Sequence, residues 1–153
     1  MREVLAGADL LATDYGVSAD VWSTTSFTEL RRDGLAAERW NMLHPGSEPR
    51  RSYVDECLAG RAGPVIAATD YVKTFADQIR AFVPGRYRVL GTDGYGRSDY
   101  RSNLRRFFEV DRHYVVLAAL TALAEDGTIP ADRPADAIAR YGIDPDTPDP
   151  SRA

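Results

Sequence analysis

The sequence predicts an α/β fold in which helices cover both faces of a mostly parallel sheet. Segments with helical spacing alternate with short apolar runs over the first ninety residues, in the order helix, strand, helix, strand, helix, strand. Such alternation is typical of right-handed βαβ crossovers. The run at residues 64–68 (PVIAA) has no polar alternation, as expected of a strand buried on both faces. The chain has 153 residues, of which 44% are hydrophobic, and this is enough for one globular domain.

The first helix is predicted over residues 2–15, where Gly16 is suited to end it as a left-handed residue. Residues 19–23 (ADVWS) are predicted to form a short strand. The helix begins without a capping side chain and without a preceding strand, so we expect the domain to be truncated at its N-terminus. Its apolar face is carried by Val4, Leu5, Ala8, Leu11 and Ala12.

A second helical pattern starts at Phe27 behind the possible caps Thr25 and Ser26. Gly34 interrupts this pattern, which favours two short helices within residues 27–40. Residues 44–52 contain two prolines and one glycine without apolar spacing, and this composition indicates a surface loop.

The central part of the chain returns to the strand and helix alternation. Residues 53–59 are predicted to form one or two helical turns, and residues 64–68 a buried strand. Helical spacing resumes over residues 70–82, and a further strand is predicted at residues 87–90.

The last third of the chain is predicted to be mostly helical. We expect a short helix at residues 104–108, a longer one at residues 111–124 and a small one at residues 134–141. The domain is therefore assigned to residues 1–142. Residues 143–153 are rich in proline and aspartate and are predicted to be an extended tail.

Composition excludes several classes of partner. The formal charge of −4 gives no electrostatic reason to bind nucleic acid or an anionic membrane. No apolar run reaches the roughly 18 residues of a membrane span. The single cysteine, Cys57, cannot form an internal disulfide or complete a zinc site with His44 and His113. We expect a cytoplasmic protein.

The sharpest local feature is the loop formed by residues 91–99 (GTDGYGRSD), which joins a predicted strand to a predicted helix. Open α/β sheets place ligands at such positions, so the loop could hold a phosphate or carboxylate. It matches neither the phosphate-loop nor the dinucleotide pattern, and a tight structural turn is therefore favoured. The residues assigned to this structural or interface loop are Gly91, Thr92, Asp93, Gly94, Gly96, Arg97 and Asp99.

The other reactive side chains have structural interpretations that are favoured over catalytic ones. His113 lies in an apolar helix and is expected to be a packed histidine, and Cys57 a buried thiol. His44 lies in a polar loop without a nucleophile that the sequence places near it. The arginine doublets 31–32, 50–51 and 105–106 are expected to form ion pairs on the surface or at interfaces.

Six segments carry a further signal, at residues 17–23, 25–34, 38–45, 68–71, 88–99 and 105–111. Taken in order, they resemble the C-terminal domain of the homodimeric pyruvate dehydrogenase decarboxylating component. Tyr95 and Tyr100 are the visible departures from that pattern. The resemblance implies a three-layer α/β/α fold of the transketolase C-terminal type. It also implies a parent enzyme that uses thiamine diphosphate and Mg²⁺ to decarboxylate pyruvate and acetylate a lipoyl group.

In that family the cofactor and the acid/base residues lie in the two preceding domains, so the resemblance implies no catalytic, cofactor-binding or metal-binding residue in this chain. The implied partners are the preceding domains, a homodimer partner and the dihydrolipoyl acetyltransferase component. The resemblance also places a missing strand between residues 19–23 and 64–68, from which we expect an inactive, marginally stable fragment. The alternative is a stand-alone interaction or anion-binding module that uses the 91–99 loop.

Overall fold

The structure, a computed structural model, describes residues 1–153. It contains seven α-helices, two β-strands and one 3₁₀ turn. The helices are α1 (Arg2–Tyr15), α2 (Phe27–Leu43), α3 (Tyr53–Leu58), α4 (Lys73–Asp77), α5 (Arg101–Phe107), α6 (Arg112–Glu125) and α7 (Arg133–Arg140); the strands are β1 (Val65–Ala68) and β2 (Tyr87–Leu90); the 3₁₀ turn is Arg80–Phe82.

The two strands pair in parallel, with Val65 opposite Tyr87 and Ala68 opposite Leu90. The predicted parallel pairing is therefore confirmed. Side chains on a strand alternate between the two faces of the sheet. In β1, Ile66 packs against one hydrophobic cluster, whereas Val65 and its next neighbour on that face, Ala67, pack against the other.

The first cluster lies between the sheet and the helices α1, α6 and α7. It is centred on α6, where Val116 and Leu120 have no exposed surface. Helices α1 and α6 approach so closely that a Cβ added at Gly7 would lie 3.0 Å from the Val115 side chain. The buried members of this cluster are Leu11, Val116, Ala119, Leu120 and Ala137.

The second cluster covers the opposite face of the sheet and involves α2, α3 and the segment containing α4. The Tyr87 hydroxyl donates a hydrogen bond of 2.8 Å to the carbonyl oxygen of Ala76, which satisfies the buried phenol. The fold therefore has three layers, helices on both sides of a small parallel sheet, as the sequence and the resemblance led us to expect. The buried members are Val54, Ile79, Val83 and Tyr87.

Local signals in the sequence located most helix ends correctly. Helix α1 begins at Arg2 without a side-chain cap, and Gly16 ends it with a φ of 66°. The Ser26 side chain caps α2, and Asp111 caps α6 by accepting hydrogen bonds from the amides of His113 and Tyr114. These contacts satisfy amide groups that a helix leaves unpaired at its start.

The prediction of a strand at residues 19–23 is wrong. Residues 18–25 belong to no helix or strand, and they form no hydrogen bond between backbone groups. A cleft of about 560 Å³ is lined both by residues 17–22 and by Val65 and Ile66 of β1. This segment is not paired with β1, so its strand-like sequence does not produce a strand.

The prediction of two helices separated at Gly34 is also wrong, because α2 is continuous. Gly34 is buried against the ring of Phe82, and a Cβ at this position would lie 2.5 Å from a ring carbon. The glycine thus provides space for a neighbour instead of ending the helix. Conversely, the single helix predicted over residues 70–82 is divided into α4 and the 3₁₀ turn, and Ile79 between them leaves the helical conformation with ψ of 2°.

Candidate functional site at the carboxyl edge of the sheet

The 91–99 loop leaves the carboxyl end of β2 and leads to α5. Beside it, residues 69–72 leave the carboxyl end of β1 and lead to α4. Because β1 and β2 are parallel, both connections lie at the same edge of the sheet. This edge is where open α/β sheets commonly bind ligands, so the contacts made there bear directly on function.

The first three residues of the loop are bonded to or packed on the β1–α4 connection. The amide of Thr92 donates to the carbonyl oxygen of Tyr71 at 2.9 Å, and its hydroxyl donates to the carbonyl oxygen of Asp70 at 2.8 Å. The Asp93 carboxylate accepts the amide of Lys73 at 2.8 Å. A Cβ at Gly91 would lie 2.8 Å from the Tyr71 carbonyl oxygen, so only glycine permits this close packing.

Gly94 contacts the C-terminal tail. Its φ of 102° lies in a region that glycine adopts readily and other residues rarely. A Cβ added at Gly94 would overlap the carbonyl oxygen of Pro150 and would lie 3.1 Å from the Cα of Ser151. The tail therefore returns to the carboxyl edge of the sheet and packs directly on the loop.

The second half of the loop is more open. A Cβ added at Gly96 would have no neighbour within 4 Å, and the guanidinium of Arg97 lies 3.9 Å from the ring centre of Phe107. The Asp99 carboxylate accepts the amide of Tyr100 at 2.6 Å and the side-chain amide of Asn103 at 3.0 Å. A depression of about 310 Å³ lies between this part of the loop and α5.

Three charged groups surround the place where the tail meets the edge. Burial raises the pKa of Glu109, while Lys73 lowers that pKa and Asp149 raises it further. The pKa of Asp149 is lowered first by hydrogen bonds from Ser151 and then also by Lys73. Lys73, the single lysine of the chain, thus lowers the pKa of two carboxylates, one of which belongs to the tail.

The residues of the loop are not suited to bind a diphosphate group through a metal ion. The Asp93 oxygen nearest to α4 already accepts a backbone amide, and Asp99 is bonded to the start of α5. Thr92 stands where a metal-binding Gly-Asp-Gly motif would have its first glycine. No group of three His, Cys, Asp or Glu side chains is arranged to hold a metal ion.

The two histidines are both stacked on aromatic rings. The ring of His113 lies 4.6 Å from that of Tyr141, in agreement with the expected packed histidine. The ring of His44 lies 4.4 Å from that of Trp40, and its Nδ1 is 2.8 Å from the Trp40 carbonyl oxygen. Cys57 is a free, half-buried thiol.

Each arginine doublet contributes an ion pair within the chain. Arg32 pairs with Glu29 at 2.8 Å, and Arg51 pairs with Asp55 at 2.6 Å. In the third doublet Arg105 pairs with Glu3, and Arg106 donates to the carbonyl oxygens of Tyr141 and Gly142 as well as to Asp111. The third doublet therefore connects distant parts of the chain, whereas the first two are local.

Sequence reasoning missed two features of this region. Glu3 binds Arg105 and Arg112, which are more than one hundred positions away in the sequence. The contact of Pro150 with Gly94 also joins segments far apart along the chain. No local spacing indicates either contact, although the position of Gly94 in a glycine-rich loop signals a place where another part of the chain can approach closely.

The comparisons with known proteins agree with this architecture. The sequence profile described as the transketolase-like TK C-terminal domain matches residues 1–111. The chain therefore belongs to the transketolase-like C-terminal domain family. No helix of the structure combines the length and the apolar character needed to cross a membrane.

Individual proteins with similar sequences are bacterial proteins named pyruvate dehydrogenase E1 component. The chain is 64% identical over 151 residues to the protein of Pseudomonas aeruginosa, a match that covers 98% of this chain and 17% of the relative. It is 59% identical over 149 residues to that of Cupriavidus necator, covering 97% of this chain and 17% of the relative. It is 54% identical over 154 residues to that of Escherichia coli K12, covering 100% and 17%. The chain thus spans about one sixth of the length of these curated relatives.

Proposed function

We propose that the chain is the C-terminal supporting domain of a cytoplasmic, thiamine diphosphate-dependent pyruvate dehydrogenase. In this proposal the longer protein decarboxylates pyruvate and transfers the acetyl unit to the lipoyl group of a dihydrolipoyl acetyltransferase component. The domain contributes contacts to the preceding domains and to a homodimer partner. It contributes no catalytic group, and the cofactor and Mg²⁺ are held elsewhere in the longer protein.

The cleft beside β1 is the observation that supports a dependent domain most directly. Its floor is formed by apolar residues of the neighbouring helices, including Val4 and Ala8 of α1 and Val115 of α6. Its walls are β1 and residues 17–22. A large apolar cleft exposed to water is unfavourable, because apolar surface gains free energy when it is removed from water.

The backbone groups beside the cleft support the same interpretation. Residues 18–25 make no hydrogen bonds between backbone groups, and β1 pairs with β2 on one side only. An extended segment that entered the cleft could pair with both, as an added strand does in β-augmentation. We propose that a preceding part of the longer protein supplies this strand, so that the domain reaches full stability only within it.

The 91–99 loop is proposed to have a structural role. Its first four residues are bonded to or packed against the β1–α4 connection and the tail. These contacts favour a role in folding or in contacts between domains over the capture of an anion. No relative or family match supports the alternative of a stand-alone anion-binding module.

Complementation in trans tests the proposal. The Pseudomonas aeruginosa relative, shortened by the region that matches this chain, would be co-expressed with the 153-residue chain and assayed with pyruvate, thiamine diphosphate and Mg²⁺. We expect CO₂ release from the combination and from the intact relative, but not from either part alone. Release by the 153-residue chain alone, or none from the combination, would refute the proposed role.

A pair of adjacent substitutions makes the complementation test specific for the cleft. Val4 is half-buried and lines the cleft, whereas Leu5 is 49% exposed and does not. We expect Val4→Asp to reduce the complemented activity at least tenfold and Leu5→Asp to leave it within about twofold. Equal effects of the two substitutions would show that the cleft does not receive the preceding segment. Circular dichroism of both variants would confirm that each retains its helices.

A further inference from the structure

The C-terminal tail crosses the edge of the sheet at which α/β proteins commonly bind ligands. It leaves α7, and the carbonyl oxygens of Tyr141 and Gly142 accept hydrogen bonds from Arg106 at 3.2 and 2.7 Å. Ile143 follows and is buried, with 8% exposure. The start of the tail is therefore fixed to the body of the domain, which directs the remaining residues over the 91–99 loop.

The end of the tail has a defined shape where it meets the loop. The Asp149 carboxylate accepts both the amide and the hydroxyl of Ser151, at 2.9 and 2.8 Å. This local turn presents the carbonyl oxygen of Pro150 to Gly94. The side chain of any residue other than glycine at position 94 would occupy the space that this carbonyl fills.

Lys73 connects the loop with the tail. Its backbone amide is bound by Asp93 of the loop, and its charged side chain acts on Glu109 and on Asp149 of the tail. The charge of Lys73 thus offsets part of the repulsion between these two carboxylates.

We infer that residues 148–151 are a strap for the 91–99 loop, a built-in ligand whose Pro150 carbonyl oxygen packs against Gly94. The strap closes the carboxyl edge of the sheet and keeps the loop in one conformation. This role is independent of the proposed parent enzyme, because every residue involved belongs to this chain.

Hydrogen exchange of the 153-residue chain tests the inference. We expect deletion of residues 148–153 to accelerate amide exchange within residues 91–99 about tenfold, while exchange in α6 remains unchanged. The deletion removes no helix or strand, so the core stays intact. Unchanged exchange in the loop after the deletion would overturn the inference.

A double-mutant cycle separates the contact with the tail from backbone strain. Gly63 has a φ of 92°, close to that of Gly94, but a Cβ added there would have no neighbour within 4 Å. Gly63→Ala therefore measures strain alone. We expect Gly94→Ala to accelerate local exchange more than Gly63→Ala in the intact chain, and equally once residues 148–153 are deleted. An effect of Gly94→Ala that the deletion does not change would refute the strap. If Gly94→Ala does not fold, the deletion of residues 148–153 decides.

Discussion

Replacing Glu3 by Gln removes one charge that joins the beginning of α1 to the beginning of α6. The carboxylate is 16% exposed and accepts the backbone amide of Arg112 at 3.1 Å. It also accepts Nε and Nη2 of the Arg112 side chain, at 3.0 and 3.2 Å, and Nη1 of Arg105 at 3.3 Å. The negative charge further stabilises the N-terminus of α6, where amide groups point outward.

The expected cost is about 1.5 kcal/mol. A hydrogen bond to a charged group contributes about 1.5 to 3 kcal/mol, but solvent competes at Arg112, whose side chain is 45% exposed, and Gln retains part of the bonding. For a chain of this length the loss corresponds to a decrease in Tm of about 3–6 °C. Asp9→Asn on the exposed side of α1 is the matched control, because Asp9 forms no ion pair, and we expect a change below about 0.5 kcal/mol.

The effect of Glu3→Gln should depend on pH in one direction. The hydrogen bond from the Arg112 side chain is the largest cause that lowers the pKa of Glu3 below its ordinary value of 4.5. The stabilisation is therefore complete well above pH 4.5 and is lost as the pH falls through the lower pKa of the folded state. Urea unfolding followed by circular dichroism at about pH 7 and near pH 3 measures both values. A difference between the variant and the parent chain that is the same at both pH values would refute this reasoning.

Two further substitutions test the packing and the backbone. Leu120→Ala empties a position with no exposed surface and is expected to cost about 3 kcal/mol, whereas the control Leu5→Ala, at a residue 49% exposed, should cost less than about 1 kcal/mol in the same urea experiment. Glu109 has a φ of 58° and a pKa raised chiefly by burial, so Glu109→Gly should stabilise the chain by about 1 kcal/mol at about pH 7. The part of the gain that comes from burial of the charge should shrink as the pH falls through the raised pKa of the folded state and should be absent well below pH 4.5, where the parent glutamic acid is neutral in both states. The control Glu48→Gly, in an exposed loop, should give no gain, and a loss of stability with Glu109→Gly would contradict the argument.

Patterns that act over short distances along the chain were sufficient for much of the fold. The spacing of apolar residues in α1, the cap at Ser26 and the left-handed Gly16 depend on contacts between near neighbours in sequence. The apolar run of β1 and the alternation of strands with helices are also local patterns, and they indicated the parallel sheet. The six matching segments were enough for the family as well, because they extend over most of the chain.

The errors and omissions concern contacts between parts that are distant in sequence. Residues 19–23 have the composition of a strand, but a strand forms only where another one pairs with it, and here a cleft adjoins them. Gly34 is typical of a helix break in the sequence, but in the structure it lies within a continuous helix and packs against the ring of Phe82. The contact between Pro150 and Gly94 likewise depends on the path of the tail over the edge of the sheet. The sequence by itself determined the local conformations and the family, whereas tertiary packing decided which extended segment became a strand and what the glycine-rich loop contacts, since both depend on groups that only the folded chain brings together.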